Sequence, residues 1–172
     1  MTRSPTPSPP ASSRRPMLIG ALIVLVLGSA IGLAVQTGEG GWYEALTKPA
    51  LTPPDYLFGI VWPVLYLLIG AAAGRIWARR GHPLAGRALF WFALQLGLNL
   101  AWTPVFFGLQ QVELGLGVIL ALNVAAIWTT VRFGRIDRTA ALLMLPYLVW
   151  IAFAAVLTFR IWQLNPALPT FI

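Results

Sequence analysis

Charge is scarce in this chain. Only 10% of its 172 residues are Asp, Glu, Lys or Arg, against 58% hydrophobic residues and a mean hydropathy of +0.77. A soluble domain of this length covers itself with charge at about a quarter of its positions, so a soluble fold is excluded and a membrane protein is implied. Cysteine is missing altogether, which removes disulfides, iron–sulfur clusters and thiolate nucleophiles. Histidine occurs once, as His82 in a basic loop beside Arg79 and Arg80, where it reads as solvated surface. The apolar runs hold no carboxylate pair, and no His/Asp/Glu group has metal-ligand spacing. Zinc chemistry, serine hydrolysis and carboxylate-driven ion transport therefore find no machinery here.

What the chain has instead is long apolar runs: 17–35, 56–77, 88–107, 112–133 and 140–162. Each can cross a hydrocarbon core about 30 Å thick. The expected fold is an all-α, five-helix transmembrane bundle in one domain, a multi-pass integral membrane protein. No internal repeat suggests an inverted-repeat transporter. Residues 1–16 are rich in proline and serine and read as a disordered tail, and 166–172 as a short C-terminal tail. The tail and first run together resemble a signal peptide, but about 19 apolar residues exceed the usual h-region, so a retained first helix is preferred.

The net charge of +7 does not point to nucleic acid, because the basic residues gather between apolar runs rather than among exposed aromatics. Five spans put Arg3, Arg14, Arg15, Arg75, Arg79, Arg80, Arg87, Arg132, Arg135 and Arg138 on one side, leaving Lys48 and Arg160 on the other. That bias orients the N-terminus inside. Four of the five acidic residues, Glu39, Glu44, Asp55 and Glu113, fall on the poorly basic side. The second span is expected to begin with Thr52 as cap, Pro53 and Pro54 in early positions and Asp55 facing the positive helix end. Gly28/Gly32 and Gly70/Gly74 have the GxxxG spacing that permits close helix contact, within the chain or in a dimer.

Inside the third run, "QLGLNLAWTPVFFG" places Gln95 and Asn99 one turn apart on a helix face, with Trp102 on the next turn. Tyr66, Asn123 and Tyr147 are further candidates to point inward. Buried amides need partners, and two readings stand: interhelical hydrogen-bonded glue, or a polar patch in a ligand or water-lined cavity. Pro63, Pro104 and Pro146 lie within spans and should free the carbonyls of Gly59, Leu100 and Leu142. Of the eight tryptophans, Trp77, Trp91 and Trp162 lie near span ends as interface anchors. Trp42, Tyr43, Trp62, Tyr66, Trp102 and Trp150 can instead form an aromatic wall suited to a large, planar, mainly apolar ligand.

Four ordered blocks, "WYEALTKPALTPP", "WPVLYLLIGAAAGRIW", "QLGLNLAWTPVFFG" and "LPYLVWIAFAAVLTFRIWQLN", make the chain resemble the tryptophan-rich sensory protein family, which includes the mitochondrial translocator protein or peripheral-type benzodiazepine receptor. The arginine- and proline-rich tail looks like that of a bacterial member. The resemblance implies a five-helix membrane protein, often a homodimer, that binds porphyrins, haem, sterol-like lipids or synthetic drugs, with no obligatory cofactor. Its pocket would map onto Trp42, Tyr43 and Pro49 of the 36–55 loop, acting as a lid. From the helices it would take Trp62, Tyr66, Asn99, Trp102, Phe106, Trp150, Ala154 and Leu157. Gln95, Tyr147 and Thr158 would be supporting polar groups, Gln95 as a brace.

Two departures weaken a sterol reading. Thr158 follows Leu157 where relatives usually carry asparagine, and Phe159 precedes Arg160 where the cholesterol motif wants tyrosine. The resemblance thus favours a receptor or carrier of tetrapyrroles. Alternatives are light- or oxygen-dependent porphyrin degradation involving Trp42 and Trp150, sterol or lipid binding, and a structural interaction role.

Overall fold

A computed structural model describes residues 14–35 and 41–166. The expected tail over 1–16 lies outside the described residues as far as residue 13, as do 36–40 of the lid loop and 167–172 of the C-terminal tail.

The five apolar runs are helical. They appear as α1 (Arg14–Ala34), α3 (Asp55–Ala78), α4 (Ala85–Thr103) continued by a π-helical turn (Pro104–Gly108), α5 (Val112–Gly134) and α6 (Arg138–Leu164). A short helix, α2 (Trp42–Ala45), sits in the loop between α1 and α3. All five long helices have the length and hydropathy to cross a bilayer, where only internally hydrogen-bonded helices or closed barrels can stand. The protein is a multi-pass, all-α integral membrane protein. α3 lies between α1 and α6, while α5 joins α6 to α4. The inner faces meet in a core of Ile69, Ile76, Phe92, Leu122, Phe133, Met144, Tyr147 and Ile151. The outer faces expose Leu22, Val26, Phe90, Val124 and Val149, as a lipid-facing surface requires.

The α1–α3 contact explains part of the glycine pattern. A Cβ at Gly20 would overlap the Gly70 carbonyl, and one at Gly74 would overlap Pro16. Gly70 and Gly74 are thus spent on packing within the chain, which lets two backbones touch. They are not an open dimer face. Gly28 is likewise filled from within the chain, by the Tyr66 ring, whereas a Cβ at Gly32 would meet nothing within 4 Å.

The second span starts differently from expectation. Pro54 precedes α3 without a side-chain cap, and the Thr52 hydroxyl turns back to donate to the Pro49 carbonyl at 2.8 Å. The helix begins at Asp55 with Pro54 rather than Thr52 in the cap position, so the Thr52 hydroxyl closes the preceding turn instead. Asp55 does occupy the first helical turn.

The three prolines also act unequally. α3 and α6 run through Pro63 and Pro146. Pro104 opens the π turn, in which Leu109 N–H donates to the Pro104 carbonyl at 2.8 Å. A wider turn accommodates the missing donor and rotates the residues after it. Gln110, with φ of 59°, then turns the chain toward α5.

At the basic end, Asp137 caps α6 by accepting from Thr139 N–H at 2.9 Å and Ala140 N–H at 3.4 Å. It also takes Arg75 Nε at 2.8 Å and pairs with Arg79. The acidic residue that breaks the charge segregation is therefore neutralised by two arginines of α3. Burial pushes its carboxyl up, but the Arg75 hydrogen bond and the charges of Arg75 and Arg79 outweigh that and hold it below the ordinary carboxylate range. Exposed His82 accepts from Leu84 N–H at 3.2 Å in the turn before α4.

Candidate functional site

At the end of the bundle opposite the arginines, α1, α3, α4 and α6 diverge around a cavity of about 450 Å³. α1 contributes Gly28, Ser29, Gly32 and Leu33, and Gly32 leaves open space where a side chain would stand. α3 contributes Asp55, Phe58, Gly59, Trp62, Pro63 and Tyr66. Trp62 and Tyr66 are one turn apart and stack at 5.3 Å with 29° between their planes.

The facing wall comes from the end of α4 and the π turn that follows it. Trp102, Thr103, Phe106 and Phe107 line it, and Trp102 stacks on Phe106 at 5.1 Å and 17°. α6 closes the third side with Ala154, Leu157, Thr158 and Ile161. Ala154 is the small residue among them, so the space beside it stays open. The Thr158 hydroxyl donates to the Ala154 carbonyl at 2.8 Å, which commits its proton to its own helix.

The described part of the loop between α1 and α3 is attached at two points. Tyr43 of α2 is buried against Phe106 and Phe107, with ring centroids 6.1 and 5.3 Å away, and lines the cavity. Lys48 Nζ sits 4.4 Å over the Tyr43 ring. Burial, with a smaller contribution from the negative charge of Asp55, pushes the Tyr43 phenol up to about 12, so it remains a neutral hydroxyl near neutral pH. Asn165, just past α6, forms a two-way clamp: its Oδ1 accepts from Thr47 N–H and its Nδ2 donates to the Thr47 carbonyl, both at 3.0 Å. Nothing in the sequence singled out Asn165, because its partner lies 118 residues away and is a backbone group with no side-chain signature.

Of the residues assigned to a pocket from the sequence, Tyr43, Trp62, Tyr66, Trp102, Phe106, Ala154 and Leu157 are brought together around the cavity, with Thr158 beside them. Trp42 and Trp150 stand one ring behind the wall. Trp42 packs on Phe106 at 5.8 Å and Trp150 on Phe58 at 5.6 Å. Pro49 lies in the lid turn closed by Thr52. Asn99 is buried beside Gln95 and Tyr147 rather than at the cavity surface. The Tyr147 hydroxyl donates to Gln95 Oε1 at 2.8 Å and accepts from Asn99 Nδ2 at 3.2 Å. The α1 residues, Phe58, Gly59 and Phe107 were missed, since apolar or small residues on a spanning helix carry no mark separating cavity from lipid. Among the described residues no His, Asp or Glu cluster could hold a metal ion.

Residues 20–163 match the TspO/MBR family. The chain belongs to this family. It is 38% identical over 157 residues to the tryptophan-rich protein TspO of Chlorobaculum tepidum, covering 83% of this chain and 98% of the relative. The TspO protein of Archaeoglobus fulgidus is 41% identical over 149 residues, 87% of this chain and 96% of the relative. The human translocator protein is 36% identical over 150 residues, 86% and 89% of the two chains. These relatives come from a bacterium, an archaeon and a mammal, so membership is in the family as a whole; the bacterial origin suggested by the tail gains nothing from them. The matched region includes α3, α4, the π turn and α5 in full, with most of α1 and α6, and hence every residue lining the cavity.

Proposed function

We propose that this protein is a membrane receptor or carrier for porphyrins and related planar, mainly apolar tetrapyrroles. The observation that carries this reading is the pairing of two ring stacks, Trp62/Tyr66 and Trp102/Phe106, across a cavity of about 450 Å³ floored by Gly28, Gly32, Gly59 and Ala154. Cavities of about 300–1,000 Å³ with apolar, aromatic walls and a few polar groups are the usual form of small-molecule sites. Flat rings offer a tetrapyrrole stacking surface at low entropic cost. The polar groups are Ser29, Asp55, Thr103 and the phenols of Tyr43 and Tyr66, suited to orienting a ligand rather than reacting with it. Membership of the TspO/MBR family supports the same reading. Asn99, Gln95 and Tyr147 then serve as the brace that fixes the Trp102 wall, and Trp42, Pro49 and Trp150 as backing for the rings that line the cavity.

The test is a titration of detergent-solubilised protein with protoporphyrin IX followed by tryptophan fluorescence. Quenching should saturate near one ligand per chain. Trp62→Phe and Trp102→Phe should each reduce it, and Trp77→Phe, at the far end of α3, should leave the affinity unchanged. Non-saturating quenching, or equal loss in all three variants, contradicts the proposal.

A further inference from the structure

The basic end of the bundle has more cations than it can pair. Arg14, Arg15, Arg75, Arg79, Arg80, Arg87, Arg132, Arg135 and Arg138 all lie there among the described residues. The single described carboxylate at that end, Asp137, is already engaged by Arg75 and Arg79. Glu44, Asp55 and Glu113 belong to the opposite end. A cluster of unpaired arginines at a bilayer surface draws anions, and the anions supplied by that surface are lipid phosphates.

One seam is built to hold such a group. Trp91 of α4 and Trp128 of α5 meet edge to face at 6.2 Å and 74°. α4 and α5 run in opposite directions, so Arg87, one turn before Trp91, and Arg132, one turn after Trp128, both lie beyond the indole pair toward the basic end. The Arg132 guanidinium sits 4.7 Å over the Trp128 ring, and its Nε is buried without an acceptor among the described residues. A guanidinium pinned on an indole face, with a donor unspent, is prepared to bind a phosphate. Beside and below the indoles the outer surface of the same two helices is apolar, with Phe90, Leu94, Val124 and Ile127 all exposed.

We propose that the α4–α5 seam is a headgroup seat for an anionic glycerophospholipid. Arg87 and Arg132 bind its phosphate, the Trp91–Trp128 pair packs against the glycerol and upper acyl carbons, and the apolar faces below carry the chains. This site is separate from the tetrapyrrole cavity at the other end of the bundle and stands whether or not that cavity binds a porphyrin.

The experiment is native mass spectrometry of the delipidated full-length protein, titrated with dioleoyl-phosphatidylglycerol. Dioleoyl-phosphatidylcholine and inorganic phosphate are the comparison probes. Phosphatidylglycerol should bind in preference to phosphatidylcholine. Arg87→Gln and Arg132→Gln should each weaken it about fivefold, since each arginine near a membrane surface contributes about that factor. Arg132→Lys, which keeps the charge and loses the stacked planar fork, should weaken binding less than Arg132→Gln does. Arg80→Gln, which removes an exposed arginine stacked on Trp77, should change it less than twofold. Arg87 is exposed, so its variant carries the test if Arg132→Gln fails to fold. Wild-type affinity in Arg87→Gln overturns the proposal, as does equal weakening by Arg80→Gln, which marks a diffuse charge effect. So does displacement by millimolar inorganic phosphate, which marks a free-anion site, or equal binding of the two lipids.

Discussion

The Tyr147 hydroxyl donates to Gln95 Oε1 across 2.8 Å, joining the middle of α6 to the middle of α4 in a region with no exposure to solvent. The same oxygen accepts from Asn99 Nδ2 at 3.2 Å, so one phenol bonds two carboxamides a turn apart, while Gln95 Nε2 and Asn99 Oδ1 are buried without a partner among the described residues. Tyr147→Phe strands both amides. We expect a loss of about 1–3 kcal/mol of stability, seen as a lower melting temperature in detergent. Affinity for protoporphyrin IX should stay within about threefold of wild type, because none of the three residues lines the cavity. A large affinity loss without a change in melting would instead make the cluster a ligand contact.

The glycines of α1 are not equivalent. A Cβ at Gly28 meets the Tyr66 ring, while one at Gly32 meets nothing. Gly28→Ala should therefore push Tyr66 out of its stack with Trp62, costing roughly 1–3 kcal/mol and weakening ligand binding. Gly32→Ala should leave stability within about 0.5 kcal/mol of wild type. The two variants compared by thermal melting separate close packing from mere smallness.

Asp137 predicts an acid dependence. Its carboxyl is held below the ordinary range in the folded protein, against about 3.9 when unfolded. The stabilisation it provides is thus complete above the unfolded value and is lost as pH falls through the folded one. The melting temperature should be level from pH 7 to about 5, with a drop below about pH 4 that Asp137→Asn flattens. Asparagine can still cap α6, so Asp137→Ala should cost about 1 kcal/mol more.

The Asn165 clamp predicts a kinetic effect. Asn165→Ala removes both bonds to Thr47, and each such bond contributes about 1 kcal/mol. Ligand dissociation in stopped-flow fluorescence should quicken by about fivefold or more, with little change in melting temperature because the clamp lies on an exposed loop.

The course of the chain through the membrane was readable because spanning length and hydropathy act over about 20 residues at a time. The five runs and the segregation of arginines needed no tertiary information. Local chemistry was harder to place. Thr52 looked like a cap, yet the helix starts later, with Pro54 in the cap position, and the Thr52 hydroxyl bonds the Pro49 carbonyl. Gly70 and Gly74 had a spacing that suited a contact within the chain or in a dimer, and Gly20 and Pro16 of α1 occupy them. Gln95 and Asn99 admitted two readings, and only the position of Tyr147 on another helix assigns them to each other. Tyr43, Trp62, Tyr66 and Trp102 of the lining were legible from tryptophan and tyrosine frequency, but Trp42 and Trp150 stand behind it and Phe58 and Phe107 carried no signal; nor did the small residues, because a cavity depends on what neighbouring helices leave unfilled.

The most direct measurement of the central claim is the affinity of protoporphyrin IX for Ala154→Phe beside the wild-type protein. Ala154 lies on the α6 wall of the cavity, and a phenyl ring there takes the space between the two stacks while leaving the helix intact. The account predicts at least a tenfold loss of affinity in a protein that still melts cooperatively. Equal binding by both proteins would place the porphyrin on the surface or in the micelle and contradict it.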